Sequence, residues 1–219
     1  MAHAKRHTPD ITGSKLPAIF PLGFSPATAV APLAGPHELA PLAFAEVPQG
    51  RRGSIIPTGG LPVEGAVDLD LSLGELWETF RNVSGWHRWN PCIWRAKVVG
   101  GPLREDATLV WAFNPIDPRY LYKLPAVATI VDFRPHECVT WEVSLPGLHA
   151  LHSYRFAELD GGRCRFGSWE VGEGGMYRGV RRFWLAHFHF VCESSLRGAA
   201  MLAQRRAYSA ASVPTKNEK

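Results

Sequence analysis

Four side chains carry most of the acid–base chemistry this sequence can offer: His187, His152, Glu170 and Tyr154. His187 falls near the middle of an apolar helical face, where a neutral imidazole can act as a general base or orient a carbonyl or hydroxyl. The alternative is a core histidine satisfied by one hydrogen bond. His152 shares a strand face with Tyr154 and Phe156. If the Asp160-Gly161-Gly162 turn is a three-residue loop, that face continues with Cys164, Phe166, Ser168 and Glu170; a two-residue loop would remove Glu170 from it. The three-residue loop gathers the aromatics inward and turns Arg163 and Arg165 outward. Glu170 beside a histidine would then raise the basicity of the imidazole; the other reading is a mutually satisfied polar network without chemistry.

Other arrangements are excluded by spacing. His187 and His189 point to nearly opposite sides of a helix, and His149 and His152 to opposite faces of a strand, so neither pair chelates a metal. Gly-rich phosphate loops, Gly-x-Ser-x-Gly, His-Glu-x-x-His and Cys-x-x-Cys are all absent. No cofactor and no metal are expected, and any chemistry would be cofactor-free acid–base work in a desolvated pocket.

The element that must position His187 is the last apolar segment, about Met176 to Arg206. It lacks proline and, as a helix, would be roughly 45 Å long. At about 100° per residue, Val180, Trp184, His187, Val191, Gly198 and Leu202 fall in one arc, flanked by Phe183, Phe190, Ser194 and Met201. Arg178, Arg182, His189 and Glu193 lie opposite.

Upstream, Val63–Asp70 alternates as a strand. Ser72 and Glu75 have capping-box spacing ahead of Leu73, Leu76, Trp77 and Phe80. Trp86-His87-Arg88-Trp89-Asn90-Pro91 is a second short helical or turn segment. Strands are then expected at Ile93–Val99, Thr108–Phe113, Val127–Phe133, Cys138–Leu145, His149–Leu159 and Arg163–Val171, joined by short turns as an antiparallel meander. One long helix is available to cover the concave face of such a sheet. The expectation is an α+β domain with an internal apolar pocket.

The first 61 residues differ in texture. Ten of the 18 prolines lie between Pro9 and Pro62, while all eight tryptophans lie between Trp77 and Trp184. Residues 1–61 read as a flexible Pro/Ala-rich extension, residues 62–207 as the domain and 208–219 as a disordered tail. The extension is acid-poor, which is also compatible with an organelle transit peptide. The net charge of +4 is modest and its arginines are scattered in pairs, which argues against nucleic-acid binding. Cys92, Cys138, Cys164 and Cys192 are widely spaced, as buried thiols in a reducing, cytoplasmic setting would be. No apolar run reaches the roughly 18 residues of a transmembrane span.

The opening strand, Leu76-Trp77-Glu78-Thr79-Phe80 and Trp86-His87-Arg88-Trp89-Asn90-Pro91 resemble the start of the START-like (SRPBCC) superfamily, in its polyketide cyclase/dehydrase branch. His152-Ser153-Tyr154-Arg155-Phe156, Asp160-Gly161-Gly162 and Glu170-x-x-x-Gly174 are similar to that family's last two strands, and the final helix completes a match over about Leu61 to Arg206. The resemblance implies a helix-grip fold of about seven strands wrapped on the C-terminal helix. It also implies an apolar small-molecule ligand, polyketide- or lipid-like, with a minority of members catalysing cyclisation or dehydration. In such a reaction His187 or His152 would remove a proton alpha to a carbonyl, and Tyr154 or Ser194 would hydrogen-bond the enolate. A non-catalytic carrier or sensor, or a protein-interaction module, are the competing functions; a filled cavity would favour the last. Trp86, Trp89 and Trp94, beside a helix-to-strand junction, are expected to plug the open end of the sheet; the alternative is that Trp89 and Asn90 form one wall of the pocket mouth. Trp111 and Trp141 are core or pocket lining. Phe166, Trp184, Val191 and Ser194 face the cavity. Tyr120 and Tyr122 follow the loop Asn114–Pro118, a candidate lid.

Overall fold

The computed structural model describes residues 62–115 and 123–211; the extension, residues 116–122 with Tyr120 and Tyr122, and residues 212–219 lie outside the described residues. Seven strands form one antiparallel sheet: β1 (Val63–Leu69), β2 (Ile93–Val99), β3 (Thr108–Phe113), β4 (Leu124–Arg134), β5 (Cys138–Leu145), β6 (Leu148–Leu159) and β7 (Arg163–Glu173). Their order is β1-β7-β6-β5-β4-β3-β2, so β1 and β2 are the edges. Between β1 and β2 lie helix α1 (Leu73–Arg81) and a 3₁₀ segment, Val83–Arg88. The chain closes with α2 (Gly175–Gly179) and α3 (Arg181–Ala211). A curved half-barrel sheet holding a long C-terminal helix is the helix-grip fold.

Local chemistry sets several of these boundaries. The Ser72 hydroxyl accepts from the Glu75 N–H at 3.3 Å while the Glu75 carboxylate accepts from the Ser72 N–H at 3.2 Å, a complete capping box. α1 buries Leu76, Trp77 and Phe80. Phe80 lies 4.9 Å from Phe156 and 5.3 Å from Tyr154, edge on, so α1 closes one end of the half-barrel with aromatic contacts. β4 starts three residues before the expected Val127 and includes Pro125. Pairing with β5 begins only at Thr129, so the proline sits where β4 has a neighbour on one side.

The final helical segment differs from one continuous helix. Val180 (φ −126°, ψ 40°) separates α2 from α3. The Gly147 carbonyl accepts from the N–H groups of Met176 and Tyr177 at 2.8 and 3.3 Å, which fixes α2 to the β5–β6 turn. α3 instead lies along β1 and β7. Two docking directions require a break, and Gly179-Val180 is the weakest helical pair in the segment. α3 also continues past Arg206 to Ala211, so residues 208–211 are helical, not tail.

The buried face of α3 is rotated from the expected arc. His187, Val191, Ser194 and Gly198 are buried, but so are Phe188, Cys192, Ser195, Ala199 and Ala203, whereas Val180 and Met201 are about half exposed. Packing against the β1 edge explains the rotation: a Cβ on Gly65 would come 2.8 Å from Leu196 and 3.3 Å from the Cys192 sulfur. At Gly198 a Cβ would overlap the Trp89 carbonyl, so the glycine allows α3 to press on the junction leading into β2.

Candidate functional site

The β6–β7 hairpin closes through Asp160–Gly162, with Leu159 opposite Arg163, and this three-residue turn fixes the register. His152 is thereby opposite Glu170, Tyr154 opposite Ser168 and Phe156 opposite Phe166. All six are buried on the face that meets α3. The His152 Nδ1 is 3.7 Å from Glu170 Oε2, and its Nε2 is 3.1 Å from the Ser168 hydroxyl.

His152, Tyr154 and Glu170, but not Ser168, Phe156 or Phe166, border an internal cavity of about 40 Å³. His152, Tyr154 and Glu170 form one side, His187 and Val191 the helix side, and Trp141, Trp111, Trp89 and Asn90 complete much of the wall. Phe166 stands behind this wall, stacked on Tyr154 at 5.1 Å, and Trp184 lies one turn before His187, 6.0 Å away edge on. Neither lines the cavity, and neither does Ser194. Trp86, Cys92, Ile93, Phe113, Val143 and Ala150, not anticipated from the sequence, also line it. Trp86 had only a structural role in prospect, and it keeps one, its indole N–H donating to the Phe80 carbonyl at 2.5 Å.

Ser195, not Ser194, is the hydroxyl at the centre of the polar network. It donates to the Val191 carbonyl at 2.8 Å, one helical turn back, and accepts from Asn90 Nδ2 at 2.9 Å. Its single hydrogen is thus engaged, so in the 2.5 Å contact with Tyr154 the phenol is the donor. Tyr154 therefore offers the cavity lone pairs, not a proton. Burial also pushes its phenol well above the ordinary range. Asn90 additionally accepts from the Cys92 N–H at 3.0 Å, which pins the turn after Trp89 to α3. The signal for Ser195 was the i, i+4 spacing from Val191, whose carbonyl its hydroxyl reaches.

His187 is held by a partner that no spacing could reveal. Its Nδ1 lies 2.5 Å from the Pro115 carbonyl, and Phe113 stacks on the ring at 4.8 Å. A carbonyl can only accept, so Nδ1 carries the hydrogen and Nε2 the lone pair. Burial lowers this imidazole to about 4, although the Pro115 bond acts in the opposite direction.

Burial also governs the His152–Glu170 pair. The expectation that Glu170 raises the histidine's basicity does not hold: desolvation lowers His152 to about 3, helped by nearby His187, and raises Glu170 to about 8. Near neutral pH both are uncharged, which suits a site where a separated ion pair would lack solvation. The carboxyl is then a potential donor. Its Oε2 is buried without a hydrogen-bond partner among the described residues, as is the Trp89 indole nitrogen. A largely aromatic cavity thus retains two uncommitted polar atoms from its wall residues.

Known structures share this architecture. The aromatase/cyclase Zhui of Streptomyces sp. R1128 superposes with a TM-score of 0.58 at 15% identity, over 70% of this chain and 99% of its own. The di-domain aromatase/cyclase StfQ of the steffimycin biosynthetic pathway gives 0.51 at 11% identity, over 68% of this chain and 52% of its own. Protein NE0264 of Nitrosomonas europaea gives 0.51 at 13%, over 68% and 97%. At these identities the likeness establishes the fold alone. No curated protein gives a significant match. The family described as "Polyketide cyclase / dehydrase and lipid transport" matches residues 61–200. That match spans the seven strands, α1 and most of α3, and with it the chain belongs to the polyketide cyclase/dehydrase and lipid transport family of START-like proteins.

Proposed function

We propose that this protein binds an apolar, oxygen-bearing small molecule, aromatic or polyketide-like, in the cavity between the sheet and α3. The observation that carries this reading is Glu170: a neutral carboxyl with an unpartnered buried oxygen in an otherwise aromatic wall. Such an atom costs about 1–3 kcal/mol while unpaired, a cost that a ligand carbonyl or hydroxyl would remove. A plain hydrocarbon chain would not. Trp89 Nε1 supplies a second donor for the same kind of ligand. A hydrophobic ligand-binding fold is what the family and the aromatase/cyclase neighbours support.

Catalysis has support of a lesser order. His187 Nε2 is a lone-pair base and Glu170 a carboxylic acid in one desolvated cavity, the pairing that proton removal alpha to a carbonyl needs. The base would take the alpha proton, and the Glu170 O–H would hydrogen-bond the developing enolate oxygen. An imidazole lowered to about 4 is, however, a weak base, and the Tyr154 hydrogen is already engaged. Binding is therefore the primary reading, as a carrier or sensor, with cofactor-free cyclisation or dehydration as its extension. A cytoplasmic location belongs to the same proposal.

The cavity volume of about 40 Å³ favours a second reading. That space holds a few waters, far less than a drug-sized ligand. Ligand uptake then requires the lining to part, whereas an interaction module would keep it closed. Native mass spectrometry of the purified chain separates the two. A co-purified apolar molecule supports the binding reading. A ligand-free mass that stays unchanged on incubation with hydroxylated naphthalenes supports the closed module.

A further inference from the structure

The rim at one end of the cavity combines exposed apolar side chains with arginines that form no ion pair among the described residues. Along β5, Trp141 and Val143 line the cavity and Leu145, on the same face two residues further, is 52% exposed. Along β6, His152 and Ala150 lead to Leu148 and the Gly147 turn, on which Met176 of α2 is hydrogen-bonded. Along the helical layer, Val191 and His187 lead through half-buried Trp184 to Val180, 50% exposed. All three paths end at one rim, where Leu145, Met176 and Val180 face solvent. Isolated exposed apolar residues are ordinary, but these three converge on two elements joined by the Gly147 carbonyl.

Arg178, Arg181 and Arg182 are exposed on the same α2–α3 corner and form no ion pair among the described residues. Neither α2 nor α3 has an acidic residue in its first turn. Placing Arg181 and Arg182 at the start of α3 is locally unfavourable, because a helix N-terminus is already positive. Their helix gains nothing from them, and together they make a strongly positive corner. The neighbouring acids Glu142 and Glu173 lie 3.0 and 3.4 Å from the His149 imidazole and form no ion pair with the three arginines among the described residues. The indole nitrogen of Trp184, at the inner edge of the rim, has no hydrogen-bond partner among the described residues.

We propose that this rim, Leu145, Met176 and Val180 with Arg178, Arg181 and Arg182, docks on the surface of an anionic phospholipid bilayer. The arginines match the negative headgroup layer, and the three apolar side chains enter the interface between headgroups and acyl chains. Because the rim lies at one end of the cavity, docking sets that end against the apolar phase in which a poorly water-soluble ligand dissolves. This last point rests on the ligand-binding reading above; the docking itself does not.

The test is co-sedimentation of the full chain, without added ligand, with phosphatidylcholine vesicles and with phosphatidylcholine–phosphatidylserine vesicles. Binding to the serine-containing vesicles alone, weakened by salt, is the expected result. The combined variant Arg178→Ser, Arg181→Ser, Arg182→Ser is expected to lose about fivefold in affinity for each arginine. Met176→Ser with Val180→Ser should lose affinity while its circular dichroism stays unchanged. No vesicle binding at low salt, or equal binding by the arginine variant, overturns the proposal. So does retention of duplex DNA or polyglutamate by the arginines without vesicle binding, which would assign the corner to an acidic polymer. Since no ligand is present, failure here leaves the cavity reading intact, and failure of ligand uptake leaves vesicle binding intact.

Discussion

His152 and Glu170 face each other across β6 and β7, Nδ1 to Oε2 3.7 Å, both buried and both neutral near pH 7. Desolvation dominates their mutual attraction here, so a pair that looks like an ion pair is a neutral acid beside a neutral imidazole. The consequence is a wall that can donate and accept hydrogen bonds without placing charge in an aromatic cavity.

Stability should depend on pH in a way this cluster dictates. Folding raises Glu170 from 4.5 to about 8, so in that range the folded chain holds a proton the unfolded chain has released, and stability falls as pH rises. His152 and His187, lowered from 6.5 to about 3 and 4, stay neutral while the unfolded chain takes up protons, so stability also falls as pH drops below 6.5. The cluster's contribution therefore peaks near pH 6.5. Glu170→Gln removes the alkaline limb and should gain stability relative to wild type between about pH 5.5 and 8.5. A difference in melting temperature that is constant over that range would contradict the assignment.

Gly198→Ala tests the contact between α3 and the Trp89 turn. Helix propensity alone would favour alanine by about 1 kcal/mol. The new methyl overlaps the Trp89 carbonyl, however, and forcing the two apart costs about 1–3 kcal/mol or more. Net destabilisation is expected in urea denaturation; a stabilised variant would mean that α3 stands farther from the turn.

Ser195→Ala should destabilise by about 1–3 kcal/mol, since it leaves the Tyr154 hydroxyl and Asn90 Nδ2 without their buried partner. Ser194→Ala, one residue away and outside this network, should cost less. Equal effects in chemical denaturation would place the two hydroxyls in equivalent roles.

His187→Ala removes the partner of the Pro115 carbonyl and one wall of the cavity. The variant should fold, with a loss of about 1–3 kcal/mol, and lose ligand uptake. Isothermal titration of wild type and variant with the same ligand measures this. Unchanged affinity would remove His187 from the binding site.

Much of this architecture was legible because short-range rules dominate it. The Ser72–Glu75 capping box, the bounds of β2, β3 and β5, and the register of the last hairpin follow from alternation and turn length. The facing of His152 and Glu170 followed from that register alone. What was not legible depends on tertiary approach. The break at Val180 arises because α2 must meet Gly147 while α3 follows β1 and β7. The same docking rotates the buried face toward Ser195 and Phe188. Pro115 as the partner of His187 spans 72 positions with no motif to announce it. The sense of the pKa shifts depends on burial depth, which pattern reading does not supply.

The central claim is that Glu170, as a buried neutral carboxyl, recognises an oxygen atom on an apolar ligand. Its most direct test is fluorescence titration, read through Trp86, Trp89, Trp111 and Trp141 at the cavity, with naphthalene and a hydroxylated naphthalene as matched probes. Wild type should prefer the hydroxylated probe by about tenfold, Glu170→Gln should keep a preference because it retains a donor, and Glu170→Val should lose it. Equal affinity of wild type for both probes, or a preference that survives Glu170→Val, would contradict the account.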